Sequence, residues 1–326
     1  MKTFKTKIIN QLNTPVLLLI FNRPNTTIKV FEKIVQARPS RLYIAGDGPR
    51  KGLVGEIEKV KKAREIVNKI NWPCEVKTLF RKKNLGCKKG VSTAITWFFN
   101  QEEKGIILED DCVPNLDFFN FCENLLDFYS KDHRLLAITG NNFQNNKWRG
   151  KASYYFSKYF HCWGWATWKR SWKHYDSCIK FWPEWSNSQA WSDYIPDKVE
   201  RRYWKKIFDL VCAGKIDSWA YPMLASIWYK NGIVATPNIN LVSNIGFGED
   251  ATHTIIQNSQ ESNISTQSLG NIIHPKIVEI NYDADKYDFE NTFNGRNLRF
   301  PRSWMVIPKK VLHFVLRKIH IIKLYF

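Results

Sequence analysis

The chain has 326 residues, 44% of them hydrophobic and 24% charged, a balance that excludes wholesale disorder and predicts one compact body with an appendage. Forty-nine Lys and Arg against thirty Asp and Glu leave a formal charge of +19, so the partner classes to weigh are anionic: nucleic acid, anionic lipid or a phosphorylated small substrate. The seven cysteines are scattered, with no C-x-x-C pair and no His at zinc-ligand spacing, which predicts reduced core thiols; no apolar run reaches the ~18–20 residues of a transmembrane helix.

PVLLLIF (15–21) predicts a buried strand; it is too short for a signal peptide and lacks a small-residue cleavage site. Polar NRPNTT follows, then IKVFEKIVQA with apolar residues at helical spacing. RLYIAGDGP (41–49) predicts a second strand ending in a Gly-Asp-Gly turn, and Glu56 to Ile70 a polar amphipathic helix. CEVKTLF (74–80) predicts a third strand, GVSTAITWFFNQ (90–101) a third helix and GIILEDD (105–111) a fourth strand. This alternation predicts an α/β fold with a parallel sheet covered on both faces, whose ligands bind at the carboxyl ends of the strands. Those ends carry Asn22 and Arg23, then Asp47, then Arg81 to Asn84, then Glu109 to Asp111.

After Pro114, NLDFFNFCENLLDFY predicts a helix packed under the sheet and LLAITG (135–140) another strand. Eleven of the fourteen tryptophans fall between 148 and 228, which places a second lobe there. Aromatic faces stack on sugars, yet most Trp in any protein is core. Trp163, Trp165 and Trp219 are therefore assigned to ligand contact and the others to packing. NSQESNISTQSLGN (258–271) predicts an exposed linker. Lys309 to Phe326 predicts a helix with Val311, Leu312, Val315, Leu316, Ile319, Ile322 and Phe326 on one face and basic residues opposite. Such a helix suits an anionic membrane surface or the protein's own core. The expected division is 1–145, 146–257 and, as linker and tail, 258–326.

Ile106, Ile107 and Leu108 should be buried, so the three carboxylates that follow must emerge into solvent or meet a cation. Strand alternation points Glu109 and Asp111 one way and Asp110 the other. Hard divalent ions take one or two carboxylates plus substrate phosphates, and the basic run RKKNLGCKKG (81–90) offers cations to the same diphosphate. The plainer readings are a solvated turn or helix cap for the acids and a solvated face for the basic run.

LLIFNRP, YIAGDGP, NLGCKKGVSTAITWFF and GIILEDDCVPNLDFF, in that order, resemble the GT-A nucleotide-sugar transferases. The nearest resemblance is to bacterial surface-polysaccharide glycosyltransferases similar to the eukaryotic N-acetylglucosaminyltransferase I family, from about residue 14 to 255. It implies a Rossmann-like sheet, with Asp111 holding Mn²⁺ or Mg²⁺ on the donor diphosphate, Asp110 facing the ribose and Glu109 approaching the sugar. Arg23, beside Asn22, takes the basic position that contacts phosphate and sugar; Asp47 reads a uracil edge, which favours UDP; Lys88 or Lys89 serves the phosphates. CWGWATWKRSW (162–172) resembles the family's G-x-G-W stretch, placing Trp163, Gly164 and Trp165 beside the sugar. KIDSWAYPM (215–223) resembles a W-D-D-W element in which Asp217 is the catalytic base, with Ile216 and Ser218 departing from the pattern and Glu249 and Asp250 as rivals. NIGFGEDATHT (244–254) matches a loop that closes over the donor, with His253 a diphosphate or metal contact.

The resemblance thus implies a metal-dependent inverting glycosyltransferase acting on a glycan or lipid-linked acceptor. Its expected place is the cytoplasm, with peripheral attachment to the inner membrane face as an option. The alternatives are a catalytically inactive nucleotide-sugar-binding protein and a basic nucleic-acid-binding protein, the second of which would need no metal.

Overall fold

The computed structural model describes residues 11–247 and 264–299; the helix expected at 309–326 lies outside them, as do Glu249, Asp250 and His253. The expected alternation is present. β1 (Val16–Ile20) leads through Arg23 into α1 (Pro24–Ala37), whose Pro24 sits at the first helical turn, where a missing N–H costs nothing. β2 (Arg41–Gly46) precedes α2 (Glu56–Arg64), which tightens into a 3₁₀ turn at Glu65–Lys69. β3 (Glu75–Phe80), α3 (Cys87–Phe99) and β4 (Lys104–Glu109) follow. Asp110 and Asp111 turn the chain into β5 (Cys112–Pro114), and α4 (Leu116–Phe128) starts where the Asn115 side chain accepts from the Phe118 N–H at 3.0 Å.

β6 (Leu135–Thr139), β7 (Tyr154–Ser157) and β8 (Trp165–Trp168) come next. Three short helices, α5 (Lys169–Trp172), α6 (Trp182–Trp185) and α7 (Gln189–Tyr194), lead to α8 (Lys198–Cys212) and α9 (Ala220–Tyr229). The remainder is β9 (Ile233–Pro237), β10 (Val242–Asn244), α10 (Tyr282–Asn291) and α11 (Gly295–Arg299). One eight-stranded sheet runs β3-β2-β1-β4-β8-β6-β9-β7, and β5 pairs separately with β10. The first four strands are mutually parallel, while β8 runs antiparallel to both β4 and β6. The tryptophan-rich segment therefore supplies strands to the same mixed α/β sheet that the first half begins.

The period-two alternation of the strands sorts their side chains into two cores. Val16, Leu18, Ile106 and Leu108 face α1 and α4. Leu17, Leu19 and Ile107 face α3 and the helices of the tryptophan-rich segment. Eight tryptophans, 165, 172, 182, 185, 191, 204, 219 and 228, are buried in that second core. Trp165 is fully buried in β8 and stacks on Trp219 with ring centroids 5.4 Å apart, so its assigned ligand contact gives way to packing: the strand turns it under the sheet. All seven cysteines are free, but only Cys112 and Cys122 are buried, while Cys178 and Cys212 are exposed, so the core-thiol expectation holds for two. Among the described residues no helix is long and apolar enough to cross a membrane.

α10 is acidic and packs beside β7. Its buried Asp285 accepts from the Ser157 hydroxyl at 2.5 Å and the Lys158 N–H at 3.2 Å, yet burial raises its pKa from 3.8 to about 7. The folded protein then holds a proton that the unfolded chain has already released. That stabilising contribution is fully present below the unfolded value of 3.8 and is lost as the pH rises through about 7. Asp285→Asn is expected to flatten the decline in melting temperature across this window relative to wild type.

Candidate functional site

The carboxyl ends of β1, β2 and β4, the amino end of α3 and the loops after β6 and β10 enclose a cavity of about 680 Å³. Arg23, Asp47, Glu109, Asp110, Asp111 and Asp217 all line it. The polar edge read from the strand ends is thus one site.

Glu109 ends β4 on the α3 side, and it and Trp219 line the same cavity. Asp110 turns the other way, and its Oδ2 accepts the Phe21 N–H at 2.9 Å. Asp111 departs from the expected alternation because the strand has already ended at Glu109. Arg23 reaches both turn residues, at 2.5 Å from Asp111 Oδ2 and 3.6 Å from Asp110 Oδ1. Burial, then repulsion from the neighbouring Asp111, lifts Glu109 to about 8 and Asp110 to about 7. Burial thus disfavours charge on Glu109 and Asp110, and Arg23 is the cation set against the acids of the turn.

Gly246 explains how Asp111 is approached so closely. The β5–β10 pair brings the Ile245 N–H to the Asp111 carbonyl at 2.9 Å, and a Cβ on Gly246 would fall 2.0 Å from Asp111 Oδ2. The first part of the expected closing loop, residues 244–247, therefore lies against the carboxylate.

Asp47 accepts from the backbone N–H groups of Gly48 at 3.0 Å and Leu85 at 2.8 Å. Asp217 is held by the first turn of α3: its Oδ2 accepts from Cys87 N at 3.1 Å and its Oδ1 from Lys88 N at 2.9 Å. α3 has no side-chain cap of its own, so Asp217 supplies one from 130 residues away. The close approach needs Gly86, which has φ of +81° and leaves its Cβ position 3.0 Å from Asp217 Oδ2.

Several expected residues stand elsewhere. Lys88 and Lys89 place their backbone in α3 but line no part of the cavity; of the basic run 81–90 it is Arg81 that does, joined by Arg50, a cation sequence reasoning did not name. Asn22 donates to Glu56 at 2.9 Å instead of facing the cavity. Gly164 is a packing position, with φ of +67° and a Cβ that would lie 2.8 Å from Val242. Of the three tryptophans, Trp163 and Trp219 line the cavity and Trp165 does not. Sequence reasoning also missed Asn141 and His161, and α10, read as linker, backs the wall with Asp288.

Among the described residues no three His, Cys, Asp or Glu side chains cluster as a metal cage. The donors present are carboxylate oxygens at the cavity wall, with Asp111 2.5 Å from Arg23. Such a set fits a hard divalent ion that completes its shell with a ligand's own oxygens.

The sequence matches no known protein-family model and no curated relative. Among solved structures it is similar to HddC from Yersinia pseudotuberculosis, at 11% identity and a TM-score of 0.30, covering 48% of this chain and 77% of that one. It is also similar to TarS 1-349 from S. aureus, at 10% identity and a TM-score of 0.39, covering 69% of this chain and 58% of that one.

Proposed function

We propose that the protein is a metal-dependent glycosyltransferase that moves a sugar from a nucleoside-diphosphate sugar, UDP-linked by preference, to a hydroxyl of a glycan or lipid-linked acceptor. The observation that supports this reading is the meeting of Glu109, Asp110 and Asp111 with Arg23, Arg50 and Arg81 around one cavity. The arginines suit a diphosphate, and the carboxylates would hold a hard divalent ion that offsets its charge.

In this reading Asp111 holds Mn²⁺ or Mg²⁺, which when bound neutralises charge on the leaving diphosphate. Arg23 positions the phosphates, Asp110 the ribose, Asp47 the base and Glu109 the sugar. The acceptor oxygen attacks the anomeric carbon, the bond from that carbon to the diphosphate breaks, and the acceptor proton passes to Asp217. One displacement inverts the anomeric centre, and retained configuration in the product by NMR would exclude it. A metal contact from His253 and attachment of 309–326 to an anionic membrane surface, both outside the described residues, belong to the same proposal.

A thermal-shift panel of nucleotide sugars with and without Mn²⁺ tests the reading and identifies the donor. Stabilisation by at least one donor in Mn²⁺ alone supports it; no response to any donor contradicts it.

The two α3 N–H groups on Asp217 favour a second reading, a donor-binding protein without turnover. Asp217→Asn separates the two. The transferase reading expects turnover to fall by about 10²–10⁴-fold with nucleotide affinity kept. Undiminished turnover would move the base to another residue.

A further inference from the structure

The cavity has a second polar corner beyond the carboxylates. β8 runs against both β4 and β6, and its first residue, Trp165, pairs with Ile107 and Thr139. The residues that lead into β8 therefore meet the loop after β6 at the same sheet edge that carries Glu109. His161 and Asn141 stand there, both lining the cavity although only 6% and 1% exposed. The single proton of the Thr139 hydroxyl has two acceptors in reach, the His161 carbonyl at 2.5 Å and Asn141 Oδ1 at 3.0 Å. The other end of the Asn141 amide, Nδ2, has no partner among the described residues. Buried amide ends are almost always satisfied, so this one calls for an acceptor.

His161 is held from behind. Its Nε2 lies 3.1 Å from Oδ2 of the buried Asp288, whose Oδ1 accepts from the Gln144 amide at 2.5 Å. Gln144 Oε1 in turn accepts from Arg149 at 2.8 Å. This chain fixes the imidazole plane, with Nε2 turned to Asp288 and Nδ1 at the other end of the ring. Phe143 stands edge-on to His161 at 4.7 Å and to Trp163 at 5.2 Å, and Phe247 edge-on to Trp163 at 5.7 Å. Hydrogen-bonding groups inside an aromatic wall match a ring that has polar edges and apolar faces.

We propose that Asn141 and His161, the latter positioned by Asp288, form the subsite for the hydroxyls of the donor's sugar. The inference rests on the transferase reading. It gains from the order of the strands: Asp47 follows β2, Asp110 and Asp111 follow β4, and His161 and Asn141 flank β8 and β6. Base, diphosphate and sugar then lie along the edge in the order in which the donor joins them.

The test is calorimetric titration of the full chain in Mn²⁺ with free UDP and GDP and with a panel of UDP- and GDP-sugars. Wild type is expected to bind one nucleotide sugar at least about tenfold more tightly than the free nucleotide. Asn141→Ala and Asp288→Asn should each reduce that gain about tenfold while leaving affinity for the free nucleotide unchanged. His161→Gln, which keeps most of the side-chain volume, is read in the same way if Asp288→Asn fails to fold. A gain retained in all variants overturns the subsite, as does a parallel loss of free-nucleotide affinity. Lost turnover with the gain intact also overturns it, because His161 would then act on the acceptor proton. A wild type that binds no nucleotide sinks the transferase reading and the subsite together, whereas nucleotide binding with unchanged gains sinks the subsite alone.

Discussion

Asp111→Asn is expected to lower turnover by about 10³-fold and to remove the Mn²⁺ dependence of nucleotide binding. Asp111 sits 2.5 Å from Arg23, beside two acids already pushed towards neutrality by burial and by Asp111 itself. An amide offers a divalent ion one neutral oxygen in place of a charged carboxylate, so a bridging ion loses its anchor. The same change relieves repulsion on Glu109 and Asp110, both of which should then titrate at lower pH. The variant should therefore fold at least as well as wild type, and its melting temperature checks that lost activity is not lost structure. Full turnover in Asp111→Asn would remove the metal from the account.

Trp165→Ala is expected to cost about 3–5 kcal/mol, a large share of the roughly 5–15 kcal/mol that holds a typical domain together. Trp165 is completely buried, stacked on Trp219 and edge-on to Phe160, so nothing nearby can collapse into the space without moving the cavity wall. Trp163→Ala, two residues earlier and half-buried at the cavity, should cost far less stability and act on ligand affinity instead. Denaturant unfolding of the two variants checks the contrast. Equal losses of stability would mean that Trp163 is also core.

That pair shows what the sequence could and could not convey. Both tryptophans belong to one short stretch with a sugar-binding look, and only the entry of β8 into the sheet separates a wall residue from a core residue. The edge itself was legible, because apolar runs of strand length ending in Arg23, Asp47 and Glu109 have to deliver those side chains to one side of a parallel sheet. The opposite facing of Glu109 and Asp110 followed from strand periodicity, and the placing of Asp111 did not, because the strand stops before it. Asp217 reached the cavity as expected, but its capping of α3 depends on a contact across 130 residues that no local pattern encodes. The His161–Asp288 pair spans 127 residues and joins a loop to a helix in the stretch assigned to linker and tail. Long-range pairs of this kind are set by the fold and leave no spacing to read.

The central claim is that one cavity holds a nucleoside diphosphate and a divalent ion together, with Asp111 and Arg23 between them. Calorimetric titration of wild type with UDP, in the presence and absence of Mn²⁺, tests it most directly. The account predicts that Mn²⁺ tightens UDP binding and that UDP tightens Mn²⁺ binding by the same factor, since the two share one coupling free energy. UDP affinity that is indifferent to Mn²⁺, or no UDP binding at all, would contradict it.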